Sequence, residues 1–145
     1  MAKVSTYLNF NGNTEEAFNY YKSVFGTELQ GEISRFGDIP PQEGMPPMSD
    51  QLKNKVMHVA LPTIGGHLLM GTDAVEEMGF QLKQGNNVYI ALHPDSRAEA
   101  DKLFNALAEG GKVEMPLAEQ FWGDYYGSLT DRYGIGWMIN TDAKK

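Results

Sequence analysis

Apolar residues recur at helical spacing in two stretches of the chain. Ala17, Tyr20, Tyr21 and Val24 fall at i, i+3, i+4 and i+7, and so do Ala100, Leu103, Phe104 and Leu107, the spacing of one face of an amphipathic helix. Each stretch follows a cap residue with a glutamate three positions on, Asn13 with Glu16 and Ser96 with Glu99. That spacing predicts a capping arrangement, in which the cap side chain accepts from the N3 amide while the glutamate reaches back. Each stretch stops at glycine, Gly26 in one case and Gly110-Gly111 in the other, as a left-handed helix end prefers.

All these pairs share one offset, the 83 positions from Asn13 to Ser96. A fixed offset signals an internal repeat, and the flanks extend it. Short apolar segments precede both caps, Ser5-Thr-Tyr-Leu-Asn-Phe10 and Asn87-Val-Tyr-Ile-Ala-Leu92. After the first helix, strands are predicted at about 28–36, 55–62 and 66–71, the last two joined through Thr63-Ile-Gly-Gly66, a step suited to a hairpin turn. After the second helix they are predicted at about 112–116, 121–129 and 135–140, with a turn around Asp131-Arg-Tyr-Gly134. The order β-α-β-β-β thus occurs twice within one domain of 145 residues: module one at about 3–73, a linker at about 74–85, and module two at about 86–141.

One insertion interrupts the first copy. Residues 38–54 carry prolines at 40, 41, 46 and 47 with Gly44, Met45 and Met48, and show neither helical nor strand periodicity. So long a loop in a small domain is either functional or mobile. It reads as a disordered loop, or as a lid or dimer arm presenting Met45 and Met48.

Composition narrows the function classes. With 12 basic against 19 acidic residues the net charge is −7, which disfavours binding to nucleic acid or to anionic lipid. The absence of cysteine removes disulfides, thiolate metal sites and cysteine nucleophiles. No run approaches 18 apolar residues, and Met1-Ala-Lys-Val-Ser5 lacks the apolar core of a signal peptide, so a cytoplasmic location is expected. There is no Walker sequence and no Gly-x-Ser-x-Gly elbow, and Gly65-Gly66 lies in a hairpin, the wrong context for holding a phosphate or adenosine.

Three longer stretches carry a resemblance. They are Leu8-Asn-Phe-Asn-Gly-Asn-Thr-Glu-Glu-Ala-Phe18, then Val56-Met-His-Val-Ala-Leu61 with Leu68-Leu-Met-Gly-Thr-Asp73, and the run from Phe121 to Trp137. The chain resembles the PhnB-like branch of the vicinal-oxygen-chelate superfamily, which contains glyoxalases, bleomycin-resistance proteins and dioxygenases. Some members of that branch are labelled 3-demethylubiquinone methyltransferase-like. The resemblance implies an α+β fold in which two βαβββ modules form a curved mixed-sheet cup lined by inward-facing strand residues. It also implies a homodimer.

Metal-dependent members of the superfamily place one ligand on the first strand and one on a later strand of each module. Here those places fall near Thr6 and its counterpart Tyr89, and near His58 and Met138. Only His58 is a competent ligand, so no metal site and no cofactor are expected. His67 and His93 read as exposed turn or strand-end residues. The methyltransferase label would require a glycine-rich strand-to-helix loop in a parallel sheet, which is absent.

His58 is the candidate catalytic residue, either a satisfied core or pocket histidine or an acid/base group titrating near neutrality. Phe121, Trp122, Tyr125, Tyr126 and Trp137 either line an apolar cleft or pack a sheet core. Asp131 suits an Asx turn into the last strand. The predicted ligand pocket comprises His58, Met70, Tyr89, Trp122, Tyr125, Trp137 and Met138. The function expected is metal-free binding of a small molecule by a homodimer, with a lyase, isomerase or oxygenase using His58, or an unrecognised metal site, as the alternative.

Overall fold

Two six-residue strands, Leu68–Asp73 and Gly136–Thr141, alternate half-buried and buried side chains in the same order. That period-two pattern means one face is covered and the other is open. The computed structural model describes residues 2–44 and 46–145. Its elements are β1 (Thr6–Phe10), α1 (Thr14–Phe25), β2 (Ser34–Arg35), α2 (Asp50–Asn54), β3 (Val56–Pro62), β4 (Leu68–Asp73), β5 (Ile90–Leu92), α3 (Arg97–Ala108), β6 (Lys112–Glu119), β7 (Tyr125–Thr130) and β8 (Gly136–Thr141). The chain divides into two units, Met1–Leu82 and Lys83–Lys145. Each holds one four-stranded sheet, in the order β1-β4-β3-β2 or β5-β8-β7-β6. In both, the first strand runs parallel to the last and the other pairs are antiparallel. This is the α+β architecture of two βαβββ modules.

One helix covers one face of each sheet. In the first unit, Ala17, Phe18 and Tyr21 of α1 are buried along with Leu69 and Leu61 of the sheet. Burying a side chain of leucine or phenylalanine size stabilises by about 1.5–3 kcal/mol. Phe18 takes the place predicted for Tyr20, which is only half-buried. Gly71 makes the room, since a Cβ there would stand 2.5 Å from the Phe18 ring. The second unit reaches the same end from the other strand: a Cβ on Gly127 would meet the Phe104 ring and the Leu117 backbone at 2.8 Å. All four predicted face residues of α3, Ala100, Leu103, Phe104 and Leu107, are buried.

The two helix starts differ in chemistry. Ser96 accepts from the Glu99 amide at 3.1 Å as predicted, while Glu99 reaches back one residue past the cap to the amide of Asp95 at 3.3 Å. Asn13 makes no side-chain cap bond. The carboxylate of Asp73, from the end of β4, does the work instead. Its Oδ1 accepts from the Thr14 amide at 3.1 Å and the Thr14 hydroxyl at 2.6 Å, and its Oδ2 accepts from the Val56 amide at 2.8 Å. The buried Asp73 therefore ties α1, β3 and β4 together, which a cap from Asn13 would not.

The repeat offset also changes along the chain. Thr6 pairs with Leu69, and Ile90 pairs with Trp137. Because β4 and β8 align residue for residue, Thr6 corresponds to Ile90, an offset of 84 rather than the 83 that relates the helices. From these equivalent residues to the helix cap the first unit takes seven steps, Thr6 to Asn13, and the second six, Ile90 to Ser96. By the same pairing His58 on β3 corresponds to Tyr126 on β7, and Met70 to Met138.

The strand predicted at 28–36 shrinks to Ser34–Arg35. The proline-bearing insertion is not free of helix. A 3-10 turn spans Phe36–Asp38, and α2 starts at Ser49, whose hydroxyl accepts from the Leu52 amide at 3.1 Å. Its cavity of about 340 Å³ is lined by Ile39, Pro41, Pro46, Pro47 and Met48 among others. Met45 lies outside the described residues. The β3–β4 hairpin closes with the Thr63 amide on the His67 carbonyl at 2.8 Å. Gly65 and Gly66 both have positive φ there, open to glycine without a Cβ clash. Among the described residues no helix is long and apolar enough to cross a membrane.

Candidate functional site

The sheet faces away from the helices are the candidate sites, one in each unit. On the first sheet, Tyr7 pairs with Met70, and Met70 pairs with Ala60. The Tyr7 and His58 rings stack at 6.1 Å between centroids with 29° between planes. This face therefore carries Tyr7, His58 and Met70. Thr6 is on the opposite face beside Leu69, with its hydroxyl 2.8 Å from Nε2 of His67. The first-strand residue that faces with His58 is thus Tyr7, not Thr6. His67 is correspondingly half-buried and bonded, not an exposed turn residue.

On the second sheet, register places Tyr126 with Asn140, Ser128 with Met138 and Thr130 with Gly136 on the open face. Tyr89 joins them from just before β5. Its ring lies over Gly136, where a Cβ would be only 2.9–3.1 Å from ring atoms. Its hydroxyl reaches the opposite edge of the sheet and donates to Oε1 of Glu114 on β6 at 2.6 Å. Oε2 of Glu114 accepts from the Thr130 hydroxyl at 3.1 Å. The Glu114 hydrogen bond, followed by desolvation and the nearby carboxylate charge, raises the Tyr89 phenol above its ordinary value. Trp122 is half-exposed, with its ring 6.0 Å from Tyr126 and 5.0 Å from the almost fully exposed Phe121.

Two residues predicted for the pocket lie elsewhere. Trp137 is fully buried on the helix face, where its indole N–H donates to Oδ2 of Asp131 at 2.8 Å. Tyr125 also faces α3. Its hydroxyl donates to Asp101 at 2.5 Å, and the Arg97 guanidinium lies 4.8 Å from its ring centre. Both aromatics belong to sheet–helix packing, because strand alternation sends neighbours to opposite faces. Asp131 makes the Asx turn predicted for it, accepting from the Tyr133 and Ile135 amides at 2.8 and 3.0 Å. The sequence pattern does not reveal Tyr7, Glu114 or the correspondence of His58 to Tyr126. Alternation back from buried Phe10 points Tyr7 outward, but nothing in Val113-Glu-Met115 marks Glu114 as a partner of Tyr89.

The donor set on these faces does not suit the divalent metal of the superfamily. The open-face positions of first and last strands hold Tyr7, Asn9, Leu68, Met70 and Thr72 in one unit and Tyr89, Ala91, Gly136, Met138 and Asn140 in the other, none of them a carboxylate or an imidazole. Phenol and thioether groups are poor ligands for Zn²⁺, Mn²⁺ or Ni²⁺. No three histidine, aspartate or glutamate side chains among the described residues come together to hold a metal ion. Nor does the strand-to-helix turn before α1 suit a phosphate, because Asp73 already occupies the amide there.

This fold of paired βαβββ modules is that of the glyoxalase, bleomycin-resistance and dioxygenase proteins. A protein of that group from Burkholderia phytofirmans superposes with a TM-score of 0.61 at 20% identity, covering 94% of this chain and 96% of its own. Residues 2–140 match the family described as 3-demethylubiquinone-9 3-methyltransferase, and the chain belongs to that family, the PhnB-like branch of the vicinal-oxygen-chelate superfamily. It is 30% identical to protein YjdN of Escherichia coli K12, over 94% of this chain and 93% of the relative. Protein PA1353 of Pseudomonas aeruginosa is 38% identical with a TM-score of 0.83, covering 99% of this chain and 100% of that one. The PhnB protein of Bacillus cereus is 27% identical with a TM-score of 0.73, covering 97% and 99%.

Proposed function

We propose that this member of the superfamily binds a small apolar or aromatic molecule on its open sheet faces, without a divalent metal. The observation that carries this reading is the character of those faces. Tyr7, His58 and Met70 stand on one, and Tyr89, Tyr126 and Met138 on the other, where a metal site would need converging carboxylates and imidazoles. Aromatic and thioether surface with a few polar groups is the usual lining of a ligand pocket. The tryptophan that reports on it is Trp122, since Trp137 is shut in the core. Titration with a panel of aromatic and amphipathic compounds is expected to change a fluorescence signal that Trp122→Phe removes. Silence from every compound, or a stoichiometric divalent metal in protein purified without an affinity tag, overturns the reading.

The working unit proposed is a homodimer. Its support is exposed apolar surface on the second unit: Phe121 is 98% exposed, and Val113 and Met115 lie exposed on the edge strand β6, the kind of surface that marks an interaction site. Sedimentation equilibrium giving a monomer at micromolar concentration counts against it.

The His58–Tyr7 stack favours one second reading, a lyase, isomerase or oxygenase in which His58 transfers a proton. Loss of turnover in His58→Ala, with binding retained, is the result that supports it. Unchanged turnover removes it.

A further inference from the structure

Glu114 is an exposed carboxylate whose hydrogen-bond partners are two hydroxyls, Tyr89 on Oε1 and Thr130 on Oε2. The ion pairs of Lys22 with Glu28, Arg35 with Glu15, Lys55 with Glu77 and Arg97 with Glu119 do not involve Glu114, and the basic residue next to it along β6 is Lys112, paired with Thr130. Tyr89 and Thr130 each have one hydroxyl proton, and both protons are spent on the carboxylate. What the cluster turns outward is therefore lone pairs only: the remaining ones of Glu114 and those of the two hydroxyl oxygens. Such a group accepts hydrogen bonds and cannot donate them. It repels carboxylates and phosphates and suits a ligand rich in N–H donors.

The surroundings add a second preference. Tyr126 and Met138 share the open face, Trp122 stands 6.0 Å from Tyr126, and the Tyr89 ring is pinned flat over Gly136. Aromatic faces attract a cation as well as an apolar body. The chain's net charge of −7 draws cations toward it. We infer that the open face of the second sheet is a site for an aromatic or apolar ligand bearing a protonated amine or guanidinium, with Glu114 receiving the cation and the Tyr89 ring and Met138 its apolar part.

This inference rests on the binding reading above and names its ligand class. Gly136 is then a specificity element, because any side chain there displaces Tyr89 and unlocks Glu114. Tyr89 is a positioning residue that holds the carboxylate from the far edge of the sheet.

The test is calorimetric titration of the whole chain with two matched series, phenyl- and naphthyl-alkylamines and the corresponding alcohols. The amines are expected to bind at least about tenfold more tightly, the size of one charge-assisted contact. Glu114→Gln, an exposed isosteric change, is expected to cost the amines about tenfold and so bring them down to the alcohols. Added salt weakens the amines alone, since screening acts on charge. Equal affinities for the two series, or amine binding indifferent to Glu114→Gln, overturn the inference while leaving a neutral apolar pocket standing. Binding of neither series overturns the inference and the parent reading together.

Discussion

The indole N–H of Trp137 donates to the same carboxylate, that of Asp131, that organises the turn leading into its own strand. Oδ1 of Asp131 takes the amides of Tyr133 and Ile135, and Oδ2 takes the indole at 2.8 Å. Asp131 is 3% exposed, Trp137 fully buried and Tyr133 buried, while Ile135 is half-buried. Removing the carboxylate takes the acceptor from two buried N–H groups, of Tyr133 and Trp137, and from the half-buried Ile135 amide, and each unsatisfied buried donor costs about 1–3 kcal/mol with incomplete additivity. Asp131→Ala is expected to lower the unfolding free energy by about 3 kcal/mol in urea, and Asp131→Asn by less, because an amide oxygen still accepts. The near-ultraviolet signal of Trp137 is expected to weaken in both. Wild-type stability in the alanine variant would show that the turn holds without its carboxylate.

Asp73 plays a comparable part in the first unit with different partners. It accepts from Thr14 at the start of α1 and from Val56 at the start of β3. An anion at a helix N-terminus is also favoured by the helix dipole. Asp73→Ala is expected to cost about 2–4 kcal/mol and to raise amide exchange at Thr14 and Val56 first. Asn13→Ala, by contrast, removes no side-chain cap bond and is expected to cost under about 0.5 kcal/mol. Equal effects from the two substitutions would restore Asn13 as the working cap.

The helices, the β-α-β-β-β succession along the chain and the duplication were legible because they depend on local signals: caps, apolar period and terminal glycines. The open faces were less so, for a reason visible at Thr6 and Tyr89. Their 83-residue relation holds for the helices, but the strands are related by 84, and a one-residue slip turns a strand side chain to the opposite face. The 83-residue offset therefore matched Thr6, which faces the helix side, with Tyr89, which faces the open side. Trp137 and Tyr125 were misplaced similarly, since an aromatic run reads alike whether it faces a cleft or a helix. Asp73 and Glu114 act through partners distant in sequence, Thr14 and Tyr89, and only the sheet register brings those pairs together.

Glycines at the sheet–helix contact make a separate prediction. Gly71 and Gly127 have ordinary backbone angles and are needed for space alone. At Gly71 the added methyl meets side-chain atoms alone, the edge of the Phe18 ring and the Thr14 methyl. At Gly127 it meets the Leu117 backbone as well as Phe104. Overpacking of this kind costs about 1–3 kcal/mol. Gly127→Ala is expected to destabilise more than Gly71→Ala, because backbone yields less than a ring edge. Melting temperatures in the reverse order would contradict the contact geometry.

The last prediction concerns Tyr89 and follows from the sign of its shift. The hydrogen bond to Glu114 comes first among the causes, then desolvation and the carboxylate charge, and all three favour the protonated phenol over its ordinary 10.0. A group raised on folding contributes stability that is fully present below its unfolded value and is lost as the pH climbs through its folded one. The contribution is therefore constant through neutrality and disappears only in strong alkali. Absorbance at the phenolate band, taken as wild type minus Tyr89→Phe, is expected to titrate above the free-tyrosine range. Glu114→Gln removes the charge, and Gly136→Ala pushes the ring off its seat, since a Cβ would stand 2.9–3.1 Å from it. Each is expected to bring the midpoint back toward the ordinary value. A wild-type midpoint already at that value would mean the Tyr89–Glu114 bond is not formed in solution, and the strap across the second sheet would be gone with it.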